Sequence, residues 1–172
     1  MIVGVELARI LDSLYADRQS PLEIIETGCV RALNPDSPEG DGWSTFYIAG
    51  WASNHPDCRF TSYELNPRHI ETASKLLRDT SLHPFVHFVE GDSVAMLGTA
   101  GHVDFAYLDT SDDLEHGLAE FQICEAKDAR MIVMDDRETK CLLALKYAKE
   151  SGRWEIEEQS RLTVFRRIPL EV

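Results

Sequence analysis

The sequence predicts an α/β fold: a three-layer sandwich on a doubly wound, mostly parallel seven-stranded sheet with an antiparallel last strand. Three observations predict it. Short apolar runs alternate along the chain with stretches of helical period, which implies right-handed crossovers between parallel strands. The last two runs are separated only by residues 159–161, too few for a parallel crossover, so they pair antiparallel or lie apart. No internal repeat, low-complexity tract or linker interrupts the pattern. With 172 residues and 44% hydrophobic content there is material for one sizeable core, so residues 1–172 are expected to form one domain.

Val5, Leu7, Ala8, Leu11, Leu14 and Tyr15 recur at helical spacing, predicting an amphipathic helix that ends before Pro21. Glu6, Arg9 and Asp12 interrupt this stretch too often for a signal-peptide core or a membrane span, so a soluble, cytoplasmic protein without a membrane partner is expected. Residues 22–26 read as a short buried strand. Residues 27–41 hold Pro35, Pro38 and Gly40 among acidic and amide residues and read as a long loop, a kind often functional in compact domains. A helix over 42–54 follows, then strand 58–64, helix 67–82, strand 85–89 and a short helix at 94–97. Strand 103–108 precedes a helix over 113–126, strand 130–134 precedes a helix over 138–151, and 154–158 and 162–168 are the last two strands. Cys29, Cys58, Cys124 and Cys141 lie far apart without a C-x-x-C pair, so reduced, buried thiols are expected.

In an open parallel sheet, ligands bind beyond the carboxyl ends of the strands, and there the residues form a consistent set. The first strand ends in Glu26-Thr27-Gly28-Cys29; after a ten-residue excursion over 30–39 the chain resumes Gly40-Asp41-Gly42-Trp43-Ser44-Thr45. Without the excursion, this is an acidic residue, spaced glycines and a Ser-Thr pair opening a helix. Glycines let the backbone approach a ligand, and the helix start offers unpaired N–H groups; Asp41 or Ser44 could equally be a plain helix cap. Glu64 ends the second strand where it could accept hydrogen bonds from both hydroxyls of a ribose. After the third strand, Asp92 could accept a bond from an exocyclic amine and Ser93 begins the next helix, unless either is only a cap. Asp109 follows the fourth strand and Asp135-Asp136 the fifth, so three carboxylates gather on neighbouring strands. Such a cluster raises at least one pKa unless a divalent ion or a cationic ligand neutralises it.

Asp and Glu outnumber Lys and Arg, 30 to 17, for a formal net charge of −13. Nucleic-acid backbones are bound by clustered cations, so a small-molecule substrate is expected and nucleic acid is not. A nicotinamide dehydrogenase would want an uninterrupted G-x-G-x-x-G, and no such run occurs.

Taken in order, the strand-end residues resemble those of the class I S-adenosylmethionine-dependent methyltransferases over nearly the whole chain, from Val3 to Ile168. The resemblance implies a Rossmann-like fold, S-adenosyl-L-methionine as cofactor and methyl transfer as activity. It puts Glu26, Gly28, Gly40 and Gly42, with Ser44 opening the next helix, around the amino-acid part of the cofactor. Glu64 falls on the ribose, and Asp92, beside Ser93, on the adenine amine. The run Glu26-x-Gly28, then Gly42-Trp43-Ser44-Thr45, with Leu108-Asp109 and Asp135-Asp136, is most similar to the catechol-type small-molecule O-methyltransferases. There the acid after the fourth strand and an Asp-Asn pair after the fifth bind magnesium. Asp109, Asp135 and Asp136 match those positions, with Asp136 in place of asparagine, so magnesium at the three acids is one expectation. A metal-free site, with one acid protonated or serving as base, is the other.

Those enzymes carry a lysine base three residues after the fourth-strand acid, where this chain has Asp112. Proton handling then falls to Asp109, Asp112 or His116, an imidazole one helical turn further on. The plain account of Asp112 is a capping pair with Glu115, and of His116 a solvated helix residue. The insertion at 30–39 is expected to be a lid over the substrate or a surface loop. The missing lysine also implies an alternative to the enzyme, a catalytically silent cofactor-binding or protein-interaction domain of the same fold.

Overall fold

The computed structural model describes residues 3–17, 21–31, 43–136, 138–159 and 161–169. In chain order its elements are α1 (Val3–Ala16), β1 (Leu22–Thr27), α2 (Ser44–Ala52), β2 (Cys58–Glu64), α3 (Pro67–Asp79), a 3-10 turn (His83–Phe85), β3 (His87–Glu90) and α4 (Ser93–Thr99). They continue with β4 (Phe105–Leu108), α5 (Leu114–Ala126), β5 (Met131–Met134), α6 (Cys141–Ser151), β6 (Trp154–Gln159) and β7 (Leu162–Arg167). The seven strands form one sheet in the order β3-β2-β1-β4-β5-β7-β6. β1 lies parallel to both β2 and β4, while β7 runs antiparallel between β5 and β6. The short connection before β7 has the antiparallel pairing its length demands.

The alternation of side chains along the central strands makes the three layers. Phe105, Tyr107, Met131 and Val133 share one core with Leu7, Ile10 and Leu11 of α1 and Ile48 and Ala49 of α2. Their neighbours Ala106, Leu108, Ile132 and Met134 face the other way, against Leu97 of α4, Phe121 and Cys124 of α5 and Ala144 and Ala148 of α6. All four residues of β4 and of β5 are buried, as a strand covered on both faces must be. Among the described residues, no helix is long and apolar enough to cross a membrane.

The elements fall where the sequence places them, with shifts at their ends. The strand expected at 85–89 starts at His87, because Pro84 lies in the 3-10 turn just before it. α3 stops at Asp79, since Ser81 takes a left-handed φ of 60° and the N–H of Leu82 returns to Leu77 O at 2.7 Å. α6 begins at Cys141 and not near 138, because Thr139 closes a turn on Asp136, its N–H 3.0 Å from that carbonyl. Cys29, Cys124 and Cys141 are buried and Cys58 partly so, all as free thiols.

Candidate functional site

β1 and β4 lie side by side although β2 and β3 intervene in sequence, so the strand order reverses between them, and a crevice is expected beyond their carboxyl ends. A cavity of about 450 Å³ opens there, lined among others by Gly28, Tyr63, Glu64, Asp92, Asp109 and His116. A larger hollow of about 600 Å³ lies at the opposite end of the sheet, beside Arg130, Arg166 and Arg167, away from every strand-end carboxylate.

Gly28 leaves β1 with φ of 82°, and an added Cβ would stand 2.4 Å from the Asp109 carbonyl oxygen. Only glycine permits that turn together with that approach. Sequence reasoning gave Gly28 to a ligand; its tightest neighbour is the backbone after β4.

Glu64 is 8% exposed and lines the cavity. The N–H groups of Cys29 and Asn66 donate to its two oxygens at 3.1 and 2.8 Å, and His69 Nδ1 lies 3.2 Å from Oε1. Asn66 caps α3 ahead of Pro67, its side chain accepting from the Arg68 N–H at 3.1 Å, and so fixes the turn that aims Glu64. Asp92 lines the cavity while capping α4 through the Ala95 N–H at 3.0 Å, so the plain capping account is correct for one of its oxygens.

Ser93 is the first residue of α4, and its hydroxyl lies 2.8 Å from Nε2 of His116. The same nitrogen is 3.5 Å from Glu120, which is buried on α5 and accepts a bond from Thr110 at 3.2 Å. Serine and carboxylate meet one ring nitrogen, so this is not a hydroxyl–imidazole–carboxylate relay, which uses both. Hydrogen bonding to Glu120 raises the His116 pKa above its ordinary value, against burial.

Glu26 and Ser44 do not reach the cavity wall. Glu26 is fully buried and accepts hydrogen bonds from Ser44 at 2.6 Å, Thr45 at 2.8 Å and Ser62 at 2.8 Å. Burial pushes its carboxyl up to about 8, the three hydroxyls pulling the other way. Ser44 is therefore neither a cap nor a ligand donor in this structure; it ties the start of α2 to β1. Asp112 is exposed, accepts from Thr139 Oγ1 at 3.3 Å and is not part of the cavity wall. The expected Asp112–Glu115 capping pair gives way to Asp113, which caps α5 through the His116 N–H at 2.8 Å. Gly40, Gly42, Asp41 and most of the 30–39 insertion lie outside the described residues; Val30, its first residue, is buried and donates to Thr45 Oγ1 at 3.2 Å.

Asp109, Asp135 and Asp136 do converge, one oxygen of each within 4.8 Å of the others. Asp136 stands in a left-handed turn at φ 54°, which Asp tolerates, and its N–H donates to Asp135 Oδ1 at 2.8 Å. The cations are the chain's own. Lys140, buried at the start of α6, donates to Asp109 Oδ1, and Arg161, just before β7, donates to Asp135 Oδ1 at 2.5 Å. Tyr107 supplies its hydroxyl to Asp135 Oδ2 at 3.2 Å. Burial raises the Asp109 pKa, with Lys140 opposing it. The three acids offer the oxygen donors that magnesium prefers, yet Asp109 Oδ1 and both Asp135 oxygens already accept hydrogen bonds, and a divalent ion would lie against the Lys140 ammonium and the Arg161 guanidinium, so it does not fit while those side chains stay in place.

Sequence reasoning missed Lys140, Arg161, His69 and Glu120. Lys140 lies four residues after Asp136 at a helix start, the one signal that could have marked it.

A doubly wound sheet in the order 3-2-1-4-5-7-6, with its cavity at the switch point, is a Rossmann-like fold, and it is the fold of a TehB-like SAM-dependent methyltransferase from Corynebacterium glutamicum, matched with a TM-score of 0.56 at 14% identity, over 94% of this chain and 86% of its own. Solved structures share it. The cofactor-bound protein Rv0187 from MTB matches with a TM-score of 0.68 at 20% identity, over 94% of this chain and 79% of its own. A candidate O-methyltransferase from Klebsiella pneumoniae matches with a TM-score of 0.72 at 15% identity, over 96% of this chain and 80% of its own. A candidate rRNA methylase from Clostridium thermocellum gives 0.66 at 12% identity, over 94% and 97%. No protein-family model and no curated protein matches the sequence. At these identities the likeness shows the fold.

Proposed function

We propose that the chain is an S-adenosylmethionine-dependent methyltransferase acting on a small-molecule acceptor, at oxygen. The observation that supports it most is Glu64: a buried carboxylate at the end of β2, lining the switch-point cavity and held by neutral N–H donors. Two oxygens so placed can still accept from a pair of vicinal hydroxyls. Asp92, on the same wall, suits the adenine amine, and the Gly28 loop suits the amino-acid end. When bound, the cofactor supplies an electrophilic methyl group on a sulfonium.

The chain's own residues then bind, orient and manage the acceptor's proton. Asp109 and His116 line the same cavity, Asp109 after β4 and Glu64 after β2 with β1 between them. Asp109 accepts the hydrogen bond of an acceptor hydroxyl. His116 acts as a donor, because its hydrogen bond to Glu120 favours the protonated imidazole. Similar structures include a candidate rRNA methylase, but a net charge of −13 supports a small acceptor over a polyanion.

The test is transfer of labelled methyl from S-adenosylmethionine to a panel of hydroxyl-bearing small molecules, run beside RNA. Product on the small molecules is expected. Transfer to RNA alone would overturn the acceptor class, and failure of the chain to bind cofactor or its product would overturn the activity.

A further inference from the structure

Asp109, Asp135 and Asp136 confront the chain with three like charges in a small volume, each with an oxygen within 4.8 Å of the others. Left alone, such a group either takes up a proton or recruits a hard cation. Lys140 has only 3% of its side chain exposed, and its ammonium sits on Asp109 Oδ1 and 3.9 Å from Asp136 Oδ2. Arg161 closes the other side, its Nε 2.5 Å from Asp135 Oδ1 and 3.4 Å from Asp136 Oδ1. A lysine removed from water is tolerated only where carboxylates repay its lost hydration, so the buried position of Lys140 is explained by these acids.

We propose that Lys140 is the resident cation of this site: its ammonium, backed by Arg161, stands where a divalent ion would bridge the acids, and positions Asp109 at the cavity edge without a metal. The two kinds of cation exclude one another. A divalent ion shared by the three acids would have to draw on Asp109, whose Oδ1 Lys140 holds, and would lie against a buried ammonium. With both side chains in place, two positive charges face three negative ones; without Lys140, one faces three, and the cluster becomes a set of oxygen donors for a hard ion. The inference concerns the same site as the proposed methyl transfer and extends it: with no ion to chelate two adjacent oxygens, the acceptor needs a single nucleophilic oxygen. The mutual exclusion of the two cations does not depend on the cofactor.

The test reads metal binding directly. Manganese is titrated into the full chain by electron paramagnetic resonance, and thermal unfolding is followed in EDTA and in millimolar magnesium. Wild type is expected to bind no manganese at this cluster and to melt alike in both buffers. Lys140→Gln is expected to gain one manganese site, at least about tenfold tighter than anything in wild type, and a magnesium-dependent rise in Tm. That gain should vanish when Asp136→Asn is added, and Lys140→Arg should stay blind to metal. A purely structural lysine would lower stability without creating a metal site. A wild-type manganese site that disappears in Asp136→Asn would overturn the proposal, as would a folded Lys140→Gln that gains no affinity. If Lys140→Gln does not fold, Lys140→Met and the wild-type titration decide the matter. Binding of S-adenosylhomocysteine, measured separately, tells failure of this inference from failure of the methyltransferase reading.

Discussion

At the ends of β1 and β2, buried carboxylates are met by neutral donors: three hydroxyls on Glu26, two backbone N–H groups on Glu64 with His69 alongside. At the ends of β4 and β5, one strand over, the partly buried Asp109 and the buried Asp135 are met by Lys140 and Arg161. Neutral donors fix a carboxylate's direction while leaving it weakly compensated, so it either keeps a proton, as Glu26 does up to about pH 8, or accepts further hydrogen bonds from a ligand. The Lys140 ammonium opposes the burial that raises the Asp109 pKa, and ammonium and guanidinium occupy Asp109 Oδ1 and Asp135 Oδ1. The first half is thereby suited to recognising hydroxyls and an amine, the second to a fixed charge arrangement beside the acceptor.

The largest effect is expected where a cation is removed. Lys140→Gln in EDTA should cost about 3 kcal/mol in urea unfolding, since breaking a buried ion pair leaves the acids unbalanced. A loss below about 1 kcal/mol would mean that the cationic half is no more dependent on its partners than an exposed pair. Next comes the seam between the halves. Gly28→Ala meets both a positive φ and the Asp109 carbonyl and should cost about 2–3 kcal/mol, with loss of cofactor-product binding. An unchanged midpoint would show that the two loops are not locked together.

The smallest effect lies in the neutral half and depends on pH. Folded Glu26 keeps its proton up to about 8, whereas unfolded Glu26 releases it near 4.5. Between those values the folded chain binds more protons, so this group's contribution falls as pH rises and levels off above about 8. Glu26→Gln should therefore flatten the decline in Tm between pH 6 and 9 relative to wild type. Parallel curves for the two proteins would place the titration elsewhere.

The layers, the mostly parallel sheet with its antiparallel last strand and the convergence of strand-end acids were legible in the sequence, because a parallel sheet buried on both faces writes its strands as apolar runs and puts ligand residues at their ends. What the sequence did not disclose is what each acid meets. Glu26 and Glu64 look alike at a strand end, yet one is sealed under α2 and the other opens on the cavity, a difference set by Ser44, Thr45 and Ser62 from other elements. Lys140, within the helix expected over 138–151, carries no local mark of its role, since its partner Asp109 is 31 residues away. Pairings over such distances follow from the fold and leave no local period. Helix ends misjudged at 79 and 141 have the same origin, in a left-handed Ser81 and a turn at Thr139 that propensity does not mark.

The central claim, a cofactor site built on Glu64, is tested most directly by calorimetric titration of S-adenosylhomocysteine into wild type and Glu64→Ala. Saturable one-to-one binding to wild type is expected, weakened by about 1–3 kcal/mol in the variant, roughly five- to 150-fold. Equal affinity of the two proteins, or no binding to wild type, would contradict it.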